Sequence, residues 1–568
     1  MSANAGTFDN AAVSADAQRH PRGLYVLFAT EMWERFSFYS MLALFTLYLR
    51  DPTEGFGWTA AEATSLYSNY LMFVYASPLI GGLIADKVTG YRKAVMIGGF
   101  FFMAGHGLLS IPALWAVYAA LTCLVIGNGF FKPNVSTMVG NLYPEGSHLK
   151  DRAYNIFYMG INLGAFIAPI TMEIVRQYFG FHPAFAVAAF GMVLSVATLW
   201  YFKSHVLAAD QKHENRNVVA PTDPQQAADT AATATDAPPH GISAQDEGGH
   251  HKGASGDAGR SDRMNAVPNW KRVMALIVIF IIVIVFWMVF HQNGSTLTYF
   301  ADDNTDWNVT GTISNSINAF WVLTLTFPLV WFWGWLDRRG KEPSTPTKMA
   351  FGMTLTGLSF LVLWYGATIG ENMTKSADQL AAGEFRINER VLTNLGNAGV
   401  SQDVLTRIQS AKGDDDKNSV FGVKFASKTD EATGVKTSGE QQLIAAVNAA
   451  APGAGDAHRA AILQNAYLFR VSPFWLILAY AIVTLGELML SPMGLSLVSK
   501  VAPISIRGLM MGGWFVATAI GNKLTQIGVY WDIWLQSTFF LVLACMALFM
   551  AVVLAILLKP LKKAMPGV

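Results

Sequence analysis

Charge is the scarcest commodity in this 568-residue chain. Asp, Glu, Lys and Arg together supply 14% of it, while 52% is hydrophobic. A soluble domain averages about 25% charged residues, and the mean hydropathy here is +0.33. The deficit excludes an ordinary soluble protein and predicts an all-α membrane protein in contact with a lipid bilayer. A net charge of +1 leaves no basic surface for nucleic acid. Cysteine is nearly missing. Cys123 and Cys545 both lie in apolar stretches, so neither a disulfide framework nor a thiolate metal site is expected. There is no nucleophile elbow, no metal-ligand spacing and no nucleotide-binding loop, which argues against an enzyme and against a metal or cofactor. The N-terminal residues lack the apolar core of a cleaved signal peptide, so the first membrane helix is expected to direct insertion.

What is present is a series of twelve apolar stretches, each near the roughly 20 residues that span a bilayer. They open near Leu24, Leu66, Ala94, Leu114, Tyr154, Ala184, Val273, Thr312, Met349, Phe474, Arg507 and Phe539. The expected organisation is an N-terminal tail (1–22), a six-helix bundle (23–204), a polar linker (205–269), helices 7–9 (270–370), an insertion (371–470), helices 10–12 (471–560) and a C-terminal tail (561–568). The linker is rich in Ala, Asp, Gln, Gly, Pro and His, the composition of a disordered tether. His240, His250 and His251 offer metal ligands there, but a simple tether explains them as well. The insertion is not low-complexity; two helical stretches flank VFGVKFAS, a candidate strand, and a small soluble domain is expected.

Lys and Arg concentrate in the loops after even-numbered helices: Lys87, Arg92, Lys93, Lys150, Arg152, Arg338, Arg339, Lys341, Lys348 and Lys500. By the positive-inside rule both termini and the linker are cytoplasmic and the insertion is extracytoplasmic. The loop acids Asp302, Asp303 and Asp306 either support an outer gate or are simply solvated. Two six-helix halves joined by a cytoplasmic linker is the layout of the major facilitator fold. The pattern Gly82, Asp86, Lys87, Gly90, Arg92 and Lys93 between helices 2 and 3 supports it.

Against this apolar background a few ionisable groups stand out. Glu31, Glu34 and Arg35 share one helix face with Phe38, Tyr39 and Leu42. Lys132 lies deep in helix 4 and Glu487 in the middle of helix 10. Such groups are expensive inside a membrane and usually face a bundle interior or a water-filled path. Two acids and a base on one stripe can hold a proton and exchange ion-pair partners, or can simply lock the helix.

Several motifs carry a resemblance. Glu31-Met-Trp-Glu34-Arg35-Phe36-Ser37-Phe38-Tyr39 resembles the ExxERFxYY motif of the proton-dependent oligopeptide transporter family. Phe157-Tyr158-Met-Gly-Ile-Asn162-Leu-Gly164 is similar to its FYxxINxG signature. The segments around Lys132-Pro133-Asn134, Gly486-Glu487, Gly340–Lys348 and Trp514–Asn522 also match. The resemblance covers all twelve helices and fails in the linker, the insertion and the N-terminal tail. It implies a bacterial inner-membrane symporter, functional as a monomer, that couples protons to the import of di- and tripeptides. Glu31, Glu34, Arg35 and Lys132 would handle the proton. Arg35 and Lys132 would face the peptide carboxylate and Glu487 its ammonium. Asn162 and Asn318 would bind backbone or termini, and Tyr39, Tyr75 and Trp514 would line the pocket. Trp33, Phe286, Trp287 and Phe290 are expected to pack.

The chain departs from the pattern at four places. Phe38 stands where the motif usually has a tyrosine, Ser40 replaces a usual glycine, and Leu42 occupies a common arginine position. His291 falls where the family carries an acid; it is read either as a titrating gate residue or as a neutral hydrogen-bonding one. Competing readings are transport of another small substrate such as nitrate, and a transporter-like nutrient sensor. Glu487, as an anion, disfavours the first; the intact charge triad disfavours the second.

Overall fold

The structure, a computed structural model, describes residues 20–143, 149–210, 267–307, 311–373, 375–411, 420–429, 434–503 and 506–566. The tail through residue 19 and linker residues 211–266, with His240, His250 and His251, lie outside the described residues. Twelve long helices carry the described chain: α1 (Arg22–Arg50), α2 (Ala60–Ile84), α3 (Tyr91–Leu109), α4 (Leu114–Asn141), α5 (Leu149–Phe179), α6 (Phe181–Tyr201), α7 (Asn269–Phe290), α8 (Gly311–Asp337), α9 (Thr345–Glu371), α10 (Pro473–Val501), α11 (Arg507–Leu524) and α12 (Gln536–Ala564). Nine of them hold a stretch long and apolar enough to cross a membrane. α1 falls short because Glu31, Glu34 and Arg35 interrupt it, α3 because Arg92, Lys93 and His106 lie in it, and α11 because Arg507, Asn522 and Lys523 do. α2 begins ahead of the apolar run at Leu66. Thr59 caps it, and Glu62 bonds back to Thr59 in a capping box.

The helices pack as two copies of one pattern. In the first half α1 lies on α5 and α6, α2 on α4, and α3 on α4 and α6. In the second, α7 lies on α11 and α12, α8 on α10, and α9 on α10 and α12. The halves meet through α2 against α11 and through α5 against α8, contacts that the same two-fold relation exchanges. Local devices repeat as well. The turn after α2 uses Gly90 at φ 76°, and the turn after α8 uses Gly340 at φ 63°, a left-handed conformation costly for other residues. Where α3 crosses α4, a Cβ on Gly98 would lie 2.7 Å from the Gly127 carbonyl oxygen. Where α9 crosses α10, a Cβ on Gly352 would lie 2.7 Å from that of Gly486. Small residues let the helix backbones touch, which drives association where the lipid offers no hydrophobic contrast. This is the major facilitator fold, with one hydrophobic core in each half.

α7 does not end cleanly. A 3-10 turn, His291–Gly294, breaks it, and a short helix, Thr296–Asp303, continues beyond. Gln292 bridges the break, donating to the carbonyls of Met288 and Thr525 at 3.2 Å each. This end of the molecule ties the halves together: Thr46 Oγ1 donates to the Gly294 carbonyl at 3.0 Å, and the Ala60 amide donates to Asp532 Oδ2 at 3.1 Å.

Between α9 and α10 the chain builds a small domain with its own core, including Phe385, Leu395, Phe421, Leu443 and Val447. Its helices include Glu389–Asn397, Gln402–Ser410 and Gly439–Ala450. Lys424–Phe425, inside VFGVKFAS, pairs antiparallel with Phe385–Arg386.

Candidate functional site

A cavity of about 750 Å³, open mouth included, lies between the halves. Tyr39 and Leu42 from α1, Tyr75 from α2 and Asn162 from α5 line one wall. Trp287 from α7, His291 from the turn that follows it, Asn318 from α8 and Glu487 from α10 line the other. Trp287 and Phe290, expected to pack, thus face the cavity, and Leu71, Asn293 and Asn315 join it without having stood out in the sequence. Trp287 and Phe290 sit one helical turn or less before the α7 break, which turns that face inward.

The charge triad on α1 is buried beside the cavity. Arg35 is fully inaccessible to solvent. Its Nε and Nη2 grip the Glu34 carboxylate, the latter at 2.6 Å from Oε1, and Glu31 Oε1 lies 3.3 Å from Nε. The Phe38 ring lies under the guanidinium with its centroid 4.8 Å from Cζ. Phe38, not Arg35, is the cavity-lining group. α5 supports this arrangement through Gly164. A Cβ there would lie 2.5 Å from the Met32 carbonyl oxygen and 3.1 Å from Arg35 Cβ. The final glycine of the Phe157–Gly164 motif therefore sets how closely α5 can press on the triad.

Lys132 is placed in the same way. It is buried in α4, with Nζ 5.3 Å from the centroid of the Tyr75 ring, and Tyr75 lines the cavity in front of it. The Tyr75 ring lies 5.7 Å from that of His291, which stacks on Trp287 at 5.0 Å. A line of groups thus runs from α4 through α2 to α7, across the boundary of the halves. Both cations stand one aromatic ring back from the open space, a placement that favours cation–π contact.

The opposite wall holds Glu487. The Asn318 amide donates to Glu487 Oε2 at 3.2 Å and to Thr484 Oγ1 at 3.0 Å, so one side chain orients the acid. Asn162 donates to the Tyr158 carbonyl one turn back at 3.0 Å. Trp514, expected in the pocket, is elsewhere. It is fully buried on α11, with its ring filling the space left by Gly494, edge-on to Phe280 at 6.3 Å.

A second polar cluster lies at the insertion end. Asp303 is 3% exposed, which rules out the solvated reading for that residue; Asp302 is half-buried and Asp306 exposed. Arg386 Nη1 reaches Asp303 Oδ2 at 2.6 Å, and Arg50 Nη2 lies 3.8 Å from the same oxygen. Lys424 Nζ is 3.6 Å from Asp302 Oδ2 and from Asp303 Oδ1, and 3.2 Å from Glu384 Oε2. Burial and then Arg50 push the Arg386 guanidinium below its ordinary value, while Asp303 pulls the other way. Burial alone would lower Lys424, but Asp302, Asp303 and Glu384 outweigh it and raise it. No group of three or more metal-ligating side chains occurs among the described residues.

The model of the POT family matches residues 92–394 and 442–531. Over 96% of its length the chain is similar, at 27% identity, to a di-/tripeptide transporter of Lactococcus lactis subsp. cremoris, 97% of which is covered. An uncharacterized transporter of Bacillus subtilis (strain 168) is 26% identical over 97% of this chain and 96% of its own. A crystal structure of a mutant of a peptide transporter POT matches with a TM-score of 0.67 at 25% identity, covering 99% of this chain and 100% of that one. One of a peptide transporter POT mutant in complex with alafosfalin gives 0.66 at 25% identity, with the same coverage.

Proposed function

The chain belongs to the POT family, and on that premise we propose that it is a proton-coupled symporter that imports di- and tripeptides by alternating access. The observation that carries this reading is the dipolar cavity. Cations Arg35 and Lys132 stand behind one wall and the Glu487 anion is held on the other. A zwitterion with its carboxylate toward α1 and α4 and its ammonium toward α10 would lie across the two halves. A bare anion such as nitrate would leave Glu487 unanswered. Asn162 and Asn318 are placed to bind the peptide's amides or termini, with Tyr39 and Tyr75 as walls. Binding at the midplane between repeats lets the halves rock around a fixed site.

Proton coupling would rest on α1. While Glu34 is ionised it holds Arg35 through two contacts. Protonating the acid removes the partner's charge, and Arg35 can then turn past Phe38 toward a substrate carboxylate. Leaving a buried guanidinium unpaired is strongly unfavourable, so release of the proton-bound acid and arrival of the peptide carboxylate favour each other. Glu31 is a second acid within reach of the same guanidinium. Lys132 and His291, joined through Tyr75, would carry charge changes to α7. The coupling ion is the proton, with no further cofactor. We place the monomer in a bacterial inner membrane, with the termini in the cytoplasm and the insertion outside.

Proteoliposome uptake tests this. Labelled dialanine should accumulate only when the lumen is more alkaline than the outside, and a proton ionophore should abolish accumulation. Counterflow should survive Glu34→Gln, which mimics the protonated acid, while proton-driven uptake fails. Accumulation indifferent to the ionophore would sink the symport reading.

A further inference from the structure

The insertion is joined at both ends to the second half, between α9 and α10, and its polar contacts with the membrane helices reach that half repeatedly. Arg386 and Lys424 meet Asp303. Asn388 donates to Asp532 Oδ1 at 3.2 Å, and Arg390 donates to the Trp534 carbonyl at 3.0 Å and to Gln536 Oε1 at 2.9 Å. The first half touches the same two acids: Arg50 at Asp303 Oδ2 and the Ala60 amide at Asp532 Oδ2. Each acid on the second half is therefore shared between a group of the first half and a group of the insertion.

We propose that Arg386 is a resident counter-ion for the gate at the insertion end, holding Asp303 when the halves part and Arg50 leaves. This rests on the alternating-access reading above. Opening at this end separates Arg50, on α1, from Asp303, beyond α7. If Asp303 had no other partner, opening would strand a carboxylate in a largely buried position, which strongly disfavours it. Arg386 already makes the shorter contact, 2.6 Å against 3.8 Å, and travels with Asp303. Its positive charge also repels Arg50, so the pair that must break is the weaker of the two. Lys424 adds a second cation from the insertion on the other carboxylate oxygen. The insertion thereby lowers the electrostatic barrier to opening; it is not a clamp that keeps the gate shut. Arg386 acts through Asp303 and is a positioning residue.

The test compares Arg386→Gln with the wild type in full-length protein carrying Leu42→Cys as the sole cysteine, the native Cys123 and Cys545 replaced by serine. Two rates are read: reaction of the introduced thiol with a membrane-impermeant maleimide applied to the insertion side of intact cells, and counterflow of labelled dialanine in proteoliposomes. R386Q should slow both about fivefold or more, the scale of a modest conformational coupling. Adding Arg50→Gln should restore both, because no pair then breaks on opening. In an Asp303→Asn background R386Q should have no effect. A merely structural role for Arg386 predicts losses that neither R50Q nor D303N reverses, and that result, or unchanged or faster labelling in R386Q, overturns the proposal. If R386Q does not yield folded protein, Lys424→Gln decides in its place, with a smaller slowing expected and unchanged labelling fatal. Labelling does not depend on the cargo. Wild type that exchanges no dialanine defeats the peptide reading while leaving the maleimide arm to decide the role of Arg386.

Discussion

Glu487 shows how much one side chain can be asked to do. It sits at 7% exposure in the wall of the cavity, and Asn318 fixes the direction of its carboxylate. An acid in so dry a place interacts with an arriving ammonium far more strongly than one in water, because little solvent screens it. A hydrogen bond to a charged group contributes about 1.5–3 kcal/mol, which corresponds to a change of roughly 10- to 100-fold in affinity. Glu487→Gln keeps the shape and an amide able to meet Asn318, and removes the charge. Its affinity for dialanine should fall within that range, measured by competition in counterflow, while N-acetyl-dialanine, which has no ammonium, should lose much less. Equal losses for the two ligands would remove Glu487 from the ammonium site. The cations opposite work differently. Arg35 and Lys132 lie behind Phe38 and Tyr75, so in this conformation the cavity presents its negative end openly and its positive end through two aromatic rings.

At the scale of helices the site depends on how closely α5 presses on α1. Gly164 makes that contact, and a methyl group there would run into the backbone of α1 at Met32. A carbonyl cannot swing aside as a side chain can, so Gly164→Ala must push the two helices apart beneath Arg35. Overpacking of this kind costs about 1–3 kcal/mol. Purified protein should melt at a lower temperature and lose proton-driven uptake. Gly107→Ala on α3 is the control, since its Cβ would meet nothing within 4 Å; it should melt no lower than wild type, as alanine is the better helix former. Much of this level can be read from the sequence. Apolar runs locate the twelve helices, and motif residues such as Glu34, Arg35 and Gly164 fall together because helical spacing already places them on facing stripes. Other placements cannot be read that way. Trp514 opens one of the matching motifs, yet Gly494, twenty positions earlier on another helix, offers its ring a slot in the core. Asp303 looks like a loop acid until a strand of the insertion brings Arg386 to it from a distant part of the chain. One signal was available. Arg50 is a cation at the helix end where the positive-inside rule expects few, and such an exception implies a buried partner.

The molecule as a whole is two copies of a six-helix unit with one addition that has no counterpart in the first half. The addition has its own core, so its folding does not depend on the membrane helices for apolar contacts. Its entry and exit also lie side by side. Phe385 bridges Tyr467 antiparallel, the Leu468 amide donates to the Glu384 carbonyl at 2.9 Å, and Lys375 Nζ donates to the Gln464 carbonyl at 2.7 Å. Replacing residues 385–467 by a short glycine-serine loop therefore asks for little closure entropy and leaves the pairing of Val471 with Asn304 and Asp306 in place. The twelve-helix body should still fold and bind peptide, because the cavity draws none of its lining from the insertion. The excision nevertheless removes Arg386, Lys424 and Asn388 together, so Asp303 and Asp532 keep only their partners on the membrane helices. Peptide exchange should slow at least as much as in R386Q. Restoring it by Asp303→Asn in the shortened protein would locate the defect in one uncompensated carboxylate. Exchange as fast as wild type would mean that opening at this end does not draw on the insertion's charges.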